Sequence, residues 1–142
     1  MFSFFSSNSI NKVSFEDLQY AILHPEQYII INTLPINDQK CLIKNTLDYD
    51  QEETIINNLL INYEYKSKHI IIYGKNCNDI SSENKYFQII KLGFKYVYLY
   101  PGGLFEWLTL QDIYGTDEFS TTSYTLDILK YKPIRAFTGR IM

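Results

Sequence analysis

The sequence predicts an α/β domain, a small parallel sheet with helices on both of its faces. Three short apolar runs, Tyr28-Ile29-Ile30-Ile31, Ile70-Ile71-Ile72-Tyr73 and Tyr96-Val97-Tyr98-Leu99-Tyr100, carry no polar interruption. That is the pattern of strands buried on both faces rather than on one. Segments with apolar residues at helical spacing lie between them, and alternation of strand and helix is the order that parallel pairing with helical crossovers requires. At 142 residues the chain can bury one core without disulfide or metal staples.

Each element has a local reason. Val13 to Phe15 is a short candidate strand, and Ser14, three residues before Asp17, makes an approximate capping arrangement for a helix over Glu16 to Leu23, which Pro25 stops. Tyr28 to Asn32 is the first buried strand, closed by Pro35, and Cys41-Leu42-Ile43 is a brief strand candidate. Asp50, Glu52 and Glu53 place negative charge at the start of a helix whose Ile55, Ile56, Leu59 and Leu60 share one face. The strand Ile70 to Tyr73 leads through a polar loop to a helix carrying Tyr86, Ile89, Ile90 and Leu92, with Gly93 as its C-terminal cap. After the strand Tyr96 to Tyr100, Pro101-Gly102-Gly103 forms a tight turn into a short helix over Leu104 to Leu110. Thr122 is placed to cap a last helix over Tyr124 to Lys130.

Composition narrows the function classes. The net charge of −3 does not steer the chain toward nucleic acid or an anionic membrane, and no nucleic-acid partner is expected. No 18 apolar residues run together, and Met1 to Ser9 lacks a basic n-region, so the expectation is a soluble cytoplasmic or otherwise intracellular protein with no membrane association. Twenty Ile against two Val, and 11 Lys against two Arg, reflect A/T-rich codons, as in a large DNA virus, where the compartment is the host cell, or an AT-rich protist. Two cysteines without a CxxC motif, and two histidines outside any ligand-spaced motif, predict neither a disulfide framework nor a metal site, and no cofactor is expected.

Ligands of open parallel sheets lie beyond the carboxyl ends of the strands, which directs attention to the loop after Tyr73 and the turn after Tyr100. The loop Gly74-Lys75-Asn76-Cys77-Asn78-Asp79-Ile80 joins a buried strand to a helix start, where unpaired backbone N–H groups favour an anion. Cys77 is the candidate nucleophile. Lys75 and the helix terminus favour negative charge on its sulfur, whereas Asp79 and Glu83 oppose it. By position alone Cys77 reads equally well as a small loop residue.

The order of elements and the local sequences resemble a rhodanese-like domain. Ile70 to Tyr73 is similar to the strand that delivers that family's active-site loop, and Lys91-Leu92-Gly93-Phe94 to the helix end that follows. Gly102-Gly103-Leu104-Phe105-Glu106-Trp107 resembles its Gly-Gly-x-x-x-Trp turn and helix, and Val13 to Leu18 its opening strand and helix. The resemblance implies a rhodanese-like domain over residues 12–112, an N-terminal segment 1–11 and a C-terminal extension 113–142. It also implies, for active members, a sulfane sulfur carried as a cysteine persulfide within a cradle of loop N–H groups. The chain departs from this pattern: the family's active cysteine directly follows the strand, where Gly74 stands here, and Cys77 comes three residues later. No Arg in the loop holds an anionic donor, Asn32 and Leu34 replace the acidic and basic residues usual after the second strand, and Cys41 takes the place of a histidine and reads as structural.

Two functions follow. The preferred one is a divergent member with a binding or regulatory role and little or no turnover, its partner a protein. The alternative is a thiosulfate-type sulfurtransferase using a persulfide on Cys77 and a small sulfur donor. A phosphatase related to the same fold is a third and weaker reading, because Asp79 and Glu83 repel a phosphate dianion. Trp107 is assigned to packing, and Gly102 and Gly103 to backbone freedom at the turn, with their N–H groups expected to border the site. The basic tail (Lys130, Lys132, Arg135 and Arg140) reads as a solvated end, and the aromatic start (Phe2, Phe4 and Phe5) as a segment that folds back or meets a partner.

Overall fold

The computed structural model describes residues 9–137, so Phe2, Phe4, Phe5 and Arg140 lie outside the described residues. Three strands, β1 (Tyr28–Asn32), β2 (His69–Tyr73) and β3 (Val97–Tyr100), form a parallel sheet in the order β1-β2-β3. Among the described residues four α-helices accompany them: α1 (Phe15–Ile22), α2 (Tyr49–Ile61), α3 (Ile80–Lys91) and α4 (Gly103–Tyr114).

The side-chain period of two divides the sheet into two faces, each with its own core. Ile30 and Ile71, paired in register, face the same way as Tyr73 and Tyr100 and pack with Leu18 and Ala21 of α1 and Leu104, Trp107 and Leu108 of α4. The adjacent row Ile31, Ile72 and Leu99 faces the opposite way, with Ile70 and Val97, onto Ile56 and Leu59 of α2 and Tyr86 and Ile89 of α3. Uninterrupted isoleucine is thus what two-sided burial demands, and helices cover both faces as the sequence predicts.

Three predicted elements differ. Val13 to Phe15 is not a strand: the Val13 N–H donates to the Leu99 carbonyl at 2.9 Å, Lys12 makes a single bridge to Leu99, and Phe15 already begins α1. The capping box sets this limit, since Ser14 N–H donates to the Asp17 carboxylate at 2.9 Å and the Ser14 hydroxyl accepts from Asp17 N–H, turning the chain into helix. Cys41-Leu42-Ile43 pairs only through an isolated antiparallel bridge from Ile43 to Thr121. The helix predicted over Tyr124 to Lys130 is a short 3-10 turn, Ile128–Tyr131, because Thr122, expected to cap it, is bound instead to Leu42, accepting its N–H at 3.0 Å and donating its own N–H to the Leu42 carbonyl at 2.8 Å.

The segment after α4 closes the first core. Phe119 is buried with its ring 5.1 Å from that of Trp107 and 5.5 Å from that of Phe15. The indole N–H of Trp107 donates to the Ser120 carbonyl at 3.0 Å, and the buried amide of Gln111 donates to the Phe119 carbonyl at 2.8 Å. Tyr131 is buried further along. The Cys41 thiol donates to the Ser123 carbonyl at 3.2 Å, and burial raises its pKa, as suits a structural thiol. No helix among the described residues is long and apolar enough to cross a membrane.

At the start of α4 the backbone lies close against the loop after β2. Gly103 has φ of +67°, and a Cβ there would meet the Gly74 carbonyl oxygen at 2.7 Å and the Asn76 nitrogen at 2.9 Å. Both the dihedral and the space exclude a side chain.

Two stability predictions follow from this packing. Gly103→Ala is expected to cost about 2–4 kcal/mol in urea denaturation, combining left-handed strain with a backbone clash. Phe119→Ala is expected to cost about 3–5 kcal/mol by the same measurement, as for any large buried aromatic; a loss below about 1 kcal/mol would show that the segment after α4 lies outside the cooperative core.

Candidate functional site

Parallel strands end at a common edge, so the segment after β1 and the loop after β2 lie side by side there. After β1, the buried Asn32 turns its carboxamide oxygen to the Leu34 N–H at 3.0 Å and to the Gln39 amide at 2.9 Å. This amide pair folds residues 33–39 into a compact turn and carries Asp38 toward the loop. The Asp38 carboxylate stands 3.2 Å from the Lys130 ammonium and 3.9 Å from that of Lys75, and raises the pKa of Lys130 above the usual lysine range.

The loop after β2 is organised by Asp79. Its Oδ2 accepts the Lys75 N–H at 2.8 Å, and its Oδ1 accepts the Ser81 N–H at 3.0 Å and the Ser81 hydroxyl at 2.6 Å. Asp79 therefore caps α3, and its carboxylate takes backbone donors at the strand-to-helix junction. Gly74 is where this carboxylate fits: a Cβ there would stand 2.6 Å from Asp79 Oδ2. The carbonyls of the loop point the other way, Gly74 accepting the Leu104 N–H at 2.9 Å and Lys75 the Phe105 N–H at 3.0 Å. The first turn of α4 thus docks on the loop, with Gly103 as the point of close contact.

Asn76 holds the loop's outer side, accepting the Asn78 N–H at 2.9 Å and donating to the Tyr131 carbonyl at 2.9 Å. Cys77 is exposed, its sulfur 3.8 Å from the Asn78 side-chain oxygen. Ile80, the first residue of α3, is also exposed.

These placements divide the residues picked from sequence between two cavities. Lys75, Asn76, Asn78 and Asp79 line a cleft of about 510 Å³ together with Thr33 and Ser81, whose hydroxyls lie 2.9 Å apart. Cys77 and Gly102 instead border a smaller apolar groove of about 300 Å³ with Phe105, Glu106, Leu110 and Pro133. Among the described residues lining that groove Glu106 is the one acidic side chain, and it accepts the Tyr100 hydroxyl, whose pKa is raised by burial and by this carboxyl group. An anionic sulfur donor approaching Cys77 meets a carboxylate and no cation among these lining residues.

Sequence reading missed Thr33, Ser81, Lys132 and Ile134 as cleft residues. Ser81 carried a signal, since a Ser two residues after a capping Asp donates to it readily. Lys132 and Ile134 carried none, because their arrival depends on how residues 115–131 return to the first core. No cluster of His, Cys, Asp and Glu that could hold a metal ion occurs among the described residues.

Comparison with known proteins accords with this architecture. Among solved structures, a yeast protein tyrosine phosphatase of the rhodanese family superposes with a TM-score of 0.60 at 13% identity, covering 84% of this chain and 96% of its own. The Alr3790 protein from Anabaena gives 0.55 at 16% identity over 83% of this chain and 97% of its own. A thiosulfate sulfurtransferase from Pseudomonas aeruginosa gives 0.51 at 18% identity over 70% of this chain and 19% of that longer protein. No curated protein sequence matches. At these identities the likeness shows the fold alone, but the family model for the rhodanese-like domain matches residues 16–110, from α1 through the Gly-Gly turn into α4. The chain belongs to the rhodanese-like domain family.

Proposed function

We propose that this chain is a binding module that does not transfer sulfur. One observation carries the reading: the Asp79 carboxylate accepts the Lys75 and Ser81 N–H groups where a rhodanese-like enzyme presents backbone donors to a sulfur anion. An internal anion held by charge-assisted hydrogen bonds fills those backbone donors, and it repels a persulfide or a phosphate set against them. Cys77 supports the same reading, being exposed on the outer side of the loop, in a groove whose charged neighbour is Glu106. What remains is a half-polar cleft at the carboxyl edge of the sheet, suited to holding a partner.

Incubation with thiosulfate followed by intact-protein mass spectrometry is expected to leave Cys77 unmodified while an active sulfurtransferase gains one sulfur atom. Addition of cyanide is expected to yield no more thiocyanate than the Cys77→Ser variant does. A persulfide on Cys77 that passes to cyanide overturns the proposal.

The loop geometry is checked by a double-mutant cycle in urea. Gly74→Ala is expected to cost about 1–2 kcal/mol through its clash with the Asp79 carboxylate, and Asp79→Ala about 1 kcal/mol through the lost cap. The double variant is expected to lose less than the sum, by about 0.5–1 kcal/mol, since removing the carboxylate removes the clash. Strict additivity would place the carboxylate elsewhere.

A further inference from the structure

We infer that the cleft between the loop after β2 and the C-terminal segment takes an acidic, partly apolar segment of a partner protein. The inference rests on the binding-module reading and names its partner class.

Charge is the first argument. Lys75 enters the cleft from the loop and Lys132 from the C-terminal segment, and Lys130 stands beside them through its ion pair with Asp38. The nearby carboxylates are already committed, Asp79 to the Lys75 and Ser81 N–H groups and Asp38 to Lys75 and Lys130. Lys132 makes no ion pair among the described residues. Three lysines against the two carboxylates Asp38 and Asp79 leave this face with an excess of positive charge in a chain whose net charge is −3.

Shape and polarity supply the second. About 510 Å³ exceeds what a small sulfur donor fills, and the cleft is lined partly by apolar side chains. Ile134, 72% exposed, and Pro35 stand in its wall, and Ile36 and Ile80, each 68% exposed, follow directly on wall residues. Apolar contacts beside lysines match a peptide alternating acidic and aliphatic residues. RNA fits less well, because no aromatic ring among the described residues lines the cleft to stack a base.

The test titrates the ¹⁵N-labelled full chain with a short peptide of alternating glutamate and leucine, with its lysine–leucine counterpart and with oligo-uridylate. Saturable shifts from the acidic peptide, centred on the amides of Lys75, Asn76, Asn78, Ser81, Lys132 and Ile134, are expected. Lys132→Glu and Ile134→Ser are surface changes that leave the fold intact, and each is expected to weaken the acidic peptide by about tenfold, whereas Lys66→Glu, at the opposite strand ends, leaves it unchanged. Raised ionic strength is expected to weaken it several-fold. The inference is overturned if the acidic peptide does not bind, if its shifts map elsewhere, if the lysine peptide binds equally well, or if oligo-uridylate binds the cleft more tightly. Sulfur transfer in the thiosulfate assay would instead sink the underlying reading, so the two failures are distinguishable.

Discussion

The contact between Gly103 and the backbone of residues 74–76 governs the arrangement of the site. It brings the first turn of α4 against the loop after β2, so that the Leu104 and Phe105 N–H groups satisfy the Gly74 and Lys75 carbonyls. A helix start has unpaired donors and a loop has unpaired carbonyls, and docking one on the other resolves both needs without water. With the carbonyls of residues 74 and 75 turned to α4, the Lys75 N–H faces the junction with α3, where Asp79 receives it.

At this junction the backbone donors of the loop are taken by its own side chain, the Asp79 carboxylate. The same strand-loop-helix geometry that draws an external anion to a helix start here draws the loop's own carboxylate. Gly74 belongs to the same device, since its missing Cβ makes the room that Asp79 Oδ2 occupies. The glycine at the expected cysteine position and the aspartate at the end of the loop are therefore one structural choice, made through a single contact.

The C-terminal segment is the other half of the site. Phe119 stacks edge-on against Trp107, and Tyr131 is buried in the same core, so the chain is returned to the loop, where Asn76 grips the Tyr131 carbonyl and Asp38 draws Lys130. From there Lys132 and Ile134 project into the cleft and Pro133 into the groove beside Cys77. One extended stretch thus finishes two cavities on either side of the loop, with Cys77 bordering one and Lys75, two residues before it in sequence, lining the other.

The sequence by itself determined the layers of this protein. Unbroken isoleucine runs allow only two-sided burial, the Ser14–Asp17 pair can only begin a helix, and the Gly93 and Gly102-Gly103 signals mark turns through backbone conformation, which is local physics. The Gly-Gly-x-x-x-Trp string and the element order further made the family legible. The direction of the loop and the identity of the cleft were not legible, because each depends on contacts between residues far apart in the chain. Cys77 lies among Lys75, Asn76 and Asn78 in sequence, yet in the tertiary structure it borders a different cavity from theirs. Lys132, which looked like part of a solvated tail, lines the cleft because Phe119 and Tyr131 must bury their rings. Strand and helix follow from neighbours in sequence, whereas a site is assembled from whichever side chains the core brings to one edge of the sheet.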